Sequence, residues 1–501
     1  MLITQPSVRN PEIQPEIKPV RMPTFWNSRF LTIACAISAL SALLCTTGCG
    51  GGGSATSLTG NTHATLLVTS TNNAQIPIFK FNIQRVSLVA GDGTAVPVLT
   101  SPQTVELGSI NGVARPLVAV DIPQGSYTSV QLSYGPSTFV VIDHSGGPGA
   151  NDIGNYNINT PGNAVQTATL ALSTPLVVSG NAMGLLLDLD IPKSTTYVPY
   201  FAGSNNLQPD AGQTSFTPVY ALTGVTPSAQ PGTLLDGKVE DVHGQVTASS
   251  SGVLTITSDS GAPLSFATSS STVFSGVNVA AVPAAGNFVS VDAALQADGS
   301  MMATSVQTEG TTQTYNMTGL LMYAGQLELS NTGREQQGPN LPNGTGFYAN
   351  NVLYTQATPF VIAWPNGTAP EGLPFTPVLG PDSIVVGQNV STPVDTLQTQ
   401  TGAVPVTNAV TLEPQTIDGT VTSVSTVNGQ NSYEVTLFSN DFIALFGSSQ
   451  SVVVYATTET HSTTGSALSS GSIARFRGLL FNDGGVLRMV ATEIEDGVPE
   501  P

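Results

Sequence analysis

Four histidines, at positions 63, 144, 243 and 461, are the natural metal ligands and general bases of this chain, and no two of them stand at ligand spacing. A site built from imidazoles needs them close on one face of an element, so no metal centre is read from them. The sequence has no Gly-x-Ser-x-Gly elbow, no Gly-x-x-x-x-Gly-Lys-Ser/Thr phosphate loop and no dinucleotide fingerprint between a strand and a helix. The common nucleophile and nucleotide routes are therefore not in view. For glycoside hydrolysis the nearest carboxylate pair is Asp188 and Asp190 in MGLLLDLDI, residues 183–191. Strand alternation puts Leu185, Leu187 and Leu189 on one face and Leu186, Asp188 and Asp190 on the other, which reads as a core face and a solvated face. Carboxylate partners drawn from distant strands stay open. The loop DHSGGPGANDIGNYNIN, from Asp143, sets Asp143, Asn151 and Asp152 among glycines. Oxygen-rich loops of this kind can hold calcium, although the spacing is not that of an EF-hand, and a flexible inserted loop is the competing reading. Phe360 and Trp364 in QATPFVIAWPNGTAP could stack on a sugar or plug a core; packing is the commoner use of such side chains. No catalytic or cofactor-binding residue is assigned, and no cofactor is expected.

One residue does carry a defined chemistry. The apolar run Phe30 to Cys45 follows Arg21 and Arg29 and ends at Thr46-Thr47-Gly48-Cys49 and a glycine string. At this length it is short against the roughly 20 residues a membrane-spanning helix needs, and small residues follow it, which is the layout of a cleaved export signal. Gly48-Cys49 resembles the bacterial lipobox, whose cysteine is acylated on sulfur and becomes the new N-terminus. Thr46 departs from the aliphatic residue of that pattern, and Met22 is a second candidate start. The resemblance implies lipidation at Cys49, with palmitate as a reporter, and two acyl chains suffice for stable anchoring. Cys35, Cys45 and Cys49 are the only cysteines, so the exported body carries no disulfide, thiolate metal site or cysteine nucleophile.

Positioning any site falls to β-structure. Only 9% of the 501 residues are charged, far below the roughly 25% of an average soluble domain. Thr, Ser, Val, Gly and Pro cover the surface instead, and they favour strands and turns. The net charge is -19. Without the leader it becomes 9 basic against 30 acidic residues, or -21, a sign that argues against nucleic acid as a partner. The length exceeds one core. The expected fold class is all-β, an N-terminal β-sandwich followed by tandem small open OB-like β-barrels and preceded by a signal helix. Its divisions are a signal segment 1–48, a flexible tether 49–62, a sandwich 63–223, a linker 224–233, and barrel repeats at 234–310, 316–413 (degenerate, with an insertion) and 417–497.

The strand Ile83 to Leu88, Glu106-Leu107, the segment Asp121 to Leu132 and the strand Leu185 to Ile191 resemble the lipoprotein family called domain of unknown function 4382. Its hallmark turn and strand are matched by Pro123, Gly125, Tyr127, Val130 and Leu132. Further on, Asp236-Gly237-Lys238-Val239, Gly286 to Val291 and Asp298-Gly299-Ser300-Met301 recur in order as Asp418-Gly419-Thr420-Val421, Gly471 to Gly478 and Asp483 to Leu487. These outer units resemble a second family, domain of unknown function 5666. Thr318-Gly319-Leu320, Gly387 to Val390 and Val410 to Leu412 suggest a third copy between them. The resemblances imply a lipid-anchored, non-catalytic bacterial cell-envelope protein presenting β-domains for binding, adhesion or envelope organisation. It would sit on the outer membrane, periplasmic or surface-exposed, with the membrane as one partner and a glycan or envelope protein as another. The alternative is an envelope polysaccharide hydrolase whose carboxylate pair the sequence hides.

Overall fold

The computed structural model describes residues 58–496 apart from internal stretches, the longest being 144–151, 159–163, 208–214, 228–235 and 338–349. The signal segment, Cys49, His144 and Asn151 lie outside the described residues, as does the centre of the expected linker. The all-β reading holds: strands dominate, and the described residues include only two short helices, Ile191–Ser194 and Phe442–Phe446.

The N-terminal module packs two sheets over one core. The first sheet is ordered Val219–Val225, Ala182–Asp190, Asn61–Thr71, Arg115–Pro123, with the central pair parallel. The second centres on Ile78–Ala90, flanked by Gly125–Tyr134 and Ser137–Asp143. Leu66, Val68, Leu185, Leu187 and Leu189 face Phe79, Phe81 and Phe139 of the opposite sheet. The opposite face of the first sheet is covered in part, which corrects the solvated-face expectation at Leu186 and Asp188, while Val219, Ala221 and Thr223 on the outer strand of the same face stay exposed. Leu67 and Leu186 are buried there against Val239, Val242 and Leu295 of the following barrel, worth roughly 1.5–3 kcal/mol for each leucine. Asp188 is half-buried on this face and accepts from Thr71 at 3.4 Å. Asp190 instead caps the short helix, accepting from the Lys193 amide at 3.0 Å.

Three five-stranded units follow. In the first barrel the strands are Lys238–Ser250, Val253–Ser258, Pro263–Ala267, Phe288–Leu295 and Met301–Gly310, with Val273–Gly276 added at the edge. The middle unit uses Tyr315–Ala324, Glu328–Asn331, Asn350–Leu353, Asn389–Thr399 and Gly402–Thr407, and the last uses Gln415–Val427, Gln430–Leu437, Ser451–Ser462, Ile473–Asp483 and Val486–Asp496. All three run one-two-three-five-four and return to strand one, with three parallel to five. This is the small open-barrel shape.

The register shows which residues correspond. In the last barrel the Val421 amide donates to the Ser472 carbonyl, the Gly471 amide donates to the Val421 carbonyl, and strand one shifts register after Val421. The same bonds and shift occur at Val246 with Asn287 and Gly286, and at Leu321 with Gln388 and Gly387. Thus Asp418-Gly419-Thr420-Val421 corresponds to His243-Gly244-Gln245-Val246 and to Thr318-Gly319-Leu320-Leu321. The expected alignment on Asp236-Gly237 is seven positions early in the first barrel. An Asp-Gly step occurs in both places, but Gly237 is a positive-φ turn ahead of the strand, whereas Gly244 and Gly419 lie inside it. There the neighbouring strand leaves no space for a side chain: a Cβ on Gly244 would meet Ile256 Cδ1 at 2.6 Å and the Thr257 carbonyl at 2.8 Å. A Cβ on Gly419 would press on the Thr436 carbonyl in the same way.

Gly244→Ala and Gly419→Ala are accordingly expected to lose about 1–3 kcal/mol in chemical denaturation. Gly91→Ala, where the nearest atom would be Thr128 Cγ2 at 3.7 Å, should be close to neutral. Equal effects at all three positions would contradict the assigned register.

Candidate functional site

Charge is scarce in this chain, and much of it is buried in one place. Strand one of the first barrel carries Lys238-Val239-Glu240-Asp241-Val242-His243, and its pairing with strand four slips between Val239 and Val242. Asp241 sits at the slip with a left-handed φ of 56°. Such a bulge re-aims a side chain, and Asp is among the few residue types that tolerate the conformation. Its carboxylate meets Arg115 Nη2 of the sandwich at 3.1 Å, Arg477 Nη2 of the last barrel at 3.2 Å and His243 Nε2 at 2.8 Å. His243 Nδ1 lies 2.5 Å from Glu309 Oε1 at the end of the same barrel. The other Glu309 oxygen accepts from Asn316 Nδ2 of the middle unit at 2.6 Å, and Asn316 also bonds Ser391. One chain of contacts therefore joins all four modules. A second pair lies nearby, where Arg475 donates to Asp418 at 2.9 Å and to the Asn72 carbonyl of the sandwich at 3.3 Å.

The charge balance sets the protonation states. The hub holds the cations Arg115, Lys238, His243 and Arg477 against the carboxyls of Glu240, Asp241, Asp292, Glu309, Glu413 and Glu493. Burial disfavours every charge, so carboxyls in excess of the cations are driven to keep protons. Burial and then the Glu309 charge raise Glu413 well above the usual carboxylate range. Burial and then Glu240 push Glu493 up to about 8, and the same two causes push Asp292 to about 6. Burial opposes the remaining charges too, but Lys238 and Arg477 overcome it at Glu240 and hold that carboxyl low. His243, Arg115 and Arg477 hold Asp241 well below its ordinary value. Against the same burial penalty, Glu309 and Asp241 raise His243 well above its ordinary value, so it is an imidazolium at neutral pH.

What this arrangement can do chemically is limited by access. The cavity beside Glu240, Asp241, Asp292, Glu413 and Arg477 has a volume of about 40 Å³, against about 300–1,000 Å³ for a ligand pocket. No group of three or more metal-ligating side chains suited to a metal ion occurs among the described residues. The hub is a joint.

Of the residues singled out from sequence, the structure brings together Asp143 and Asp152. Asp143 and Asp152 pair across two strands, Ser137–Asp143 and Asp152–Ile158, and Asn151 lies outside the described residues, as does Cys49. His63 bonds Asp121 at 2.8 Å on the surface of the sandwich, and His461 pairs opposite Glu493 in the last barrel. Trp364 stacks on Phe481 with centroids 5.7 Å apart, and Phe360 meets Tyr354 edge-on at 5.5 Å. Both aromatics plug cores between the middle and last units. Sequence reasoning missed the hub. The signal it held was a run of charges inside an apolar strand pattern, Val239-Glu-Asp-Val-His243, where alternation alone would expose every second side chain.

Comparison with known proteins bears on one of the modules. Residues 243–307 match the family described as Domain of unknown function (DUF5666). The match opens on His243-Gly244, the position that the strand register equates with Asp418-Gly419. No curated protein matches the chain. A solved structure titled "drosophila Unr CSD456" is 10% identical and covers 52% of this chain and 98% of its own, with a TM-score of 0.13. That score is too low for the likeness to bear on fold or function.

Removing one partner strands the other charges, so Asp241→Ala should lower stability by about 3–5 kcal/mol in denaturant titration. The pH dependence has a definite sign. Glu413, Glu493, Asp292 and His243 have raised folded-state values. Their contribution is complete below their unfolded values and lost as pH rises through the folded ones. Asp241 and Glu240 are lowered; theirs is present above the unfolded values and lost as pH falls through the folded ones. Thermal stability should therefore peak near about pH 5 and fall toward pH 8. Glu413→Gln and Glu493→Gln should flatten that fall, and an unchanged slope in both variants would contradict the assignment.

Proposed function

We propose that this protein is a lipid-anchored, non-catalytic component of the bacterial cell envelope that presents a rigid run of β-modules for binding, adhesion or envelope organisation. The observation that carries this reading is the joint itself. Modules that share a buried Asp241 cannot swing independently without leaving charges uncompensated in a low-dielectric interior. Rigid spacing of surfaces from a membrane is what such a construction provides. Cys49 stands twelve positions before the first strand residue, Asn61, and an extended segment of that length reaches at most about 40 Å. The likeness of Ile83–Leu88 and Asp121–Leu132 to the lipoprotein family called domain of unknown function 4382 supports the same placement, on the outer membrane with a periplasmic or surface-exposed body. The acidic charge supports an envelope protein or glycan as partner over nucleic acid.

An envelope polysaccharide hydrolase would need two carboxyls facing a cleft that admits a sugar. The carboxyls that gather here surround a space too small for one, which favours the binding reading. The outer barrel surfaces that carry extended ligands in barrels of this shape are, in the first and last units, partly spent on the joint.

Intact mass and radiolabelled palmitate incorporation in a bacterial host test the anchor. The wild-type chain should lose residues ahead of Cys49 and take up label, and Cys49→Ala should do neither. An unlabelled protein that keeps its leader would contradict the proposal.

A further inference from the structure

A second opening lies away from the joint. A cleft of about 740 Å³ lies between the sandwich and the first barrel, inside the volume range of ligand pockets. Two strand borders face it. Arg115–Pro123 ends its sheet and, among the described strands, pairs with Asn61–Thr71 alone; its residues Pro116–Ala119 line the cleft, with the Leu117 carbonyl taken by Gln103 Nε2 at 3.2 Å. On the other side, Pro263–Ala267 joins strand five at one position, Ala267 with Met302, and Pro263–Ser265 line the cleft. An unpaired strand edge offers alternating N–H and C=O groups to a further strand. Pro116 and Pro123 lack an N–H and bracket that edge, so an added strand would be confined to the stretch between them.

The lining defines what such a strand should contain. Leu99, Pro102, Leu117, Val118, Leu264 and Met301 give it apolar walls. Thr65 and Gln103 also line it, and each keeps a buried oxygen, Thr65 Oγ1 and Gln103 Oε1, with no partner. Buried acceptors of this kind are satisfied when a donor arrives. At the mouth, His63 Nδ1 is held by Asp121 at 2.8 Å, and Asp298 lies close enough to feel the ring. Gly299 keeps the ring in place by having no side chain: a Cβ there would meet His63 Cδ2 at 2.5 Å. Among the described residues no Lys or Arg lines the cleft, and the carboxylates beside its mouth are Asp121 and Asp298, which favour basic flanks in an occupant. No Phe, Tyr or Trp lines it either, which removes the stacking platform that a sugar would use.

We propose that this cleft binds an extended peptide with small apolar side chains and basic flanks, added as a strand to the free edge of Arg115–Pro123. Main-chain bonds would supply affinity, and the apolar walls would select alternate side chains. The proposal rests on the binding half of the function given above and is independent of the anchor, which the palmitate experiment reports on separately.

The test passes a degenerate pool of strand-length peptides over the immobilised full chain and sequences what is retained. Retained peptides should alternate apolar and polar residues and carry Lys or Arg at their ends. Affinity for a synthesised representative should fall about tenfold or more in Ala119→Trp and Ser265→Trp, two exposed positions where the ring fills the cleft. N-methylation at alternate residues should weaken binding similarly, with the melting temperature of both variants unchanged. No retained peptide, retention that survives both tryptophans, or a pool enriched in acidic ends would each overturn the proposal.

Discussion

The arrangement of this protein depends on a carboxylate, Asp241, that is almost entirely withdrawn from water and compensated by cations from three directions. An isolated charge in such a place would cost several kcal/mol. Arg115, His243 and Arg477 remove that cost only if the sandwich, the first barrel and the last barrel are docked together, and Glu309 with Asn316 brings in the middle unit. The apolar contacts at Leu67 and Leu186 provide attraction between modules. The ionic joint provides the geometry, because charges tolerate misplacement far less than methyl groups do.

A chain with so few charged residues has placed many of them where they cannot serve solubility. That choice explains the protonated carboxyls: with six carboxyls against four cations in one buried region, neutral Glu413 and Glu493 relieve the excess. It also explains why the barrels do not act as separate beads. Their strand order repeats, yet their equivalent positions have diverged according to what each one faces. The residue before the conserved-geometry glycine is His243 in the first barrel, Thr318 in the middle and Asp418 in the last. His243 faces Glu309, and Asp418 faces Arg475.

Much of the fold was legible in the residues, and the site was not. Alternating apolar runs and Gly-rich turns specify strands through local chemistry, so the all-β class followed from them. The barrel repeat was visible as a glycine with an aliphatic residue two positions on. Its register in the first barrel was misread because Asp236-Gly237 supplies a second, genuine turn ahead of the strand. Asp188 was misjudged because strand alternation distinguishes two faces without saying that a following module covers part of the second. The joint stayed hidden for a stronger reason. Arg115 and Arg477 are separated by most of the chain, and no short-range pattern brings them to one carboxylate; His243, taken alone, looks like any lone histidine.

The central claim is that the four modules unfold as one because they share this joint, and differential scanning calorimetry of the full chain tests it most directly. The account predicts a single transition whose calorimetric and van't Hoff enthalpies agree. Two or more resolved transitions, with the sandwich melting apart from the barrels, would contradict it.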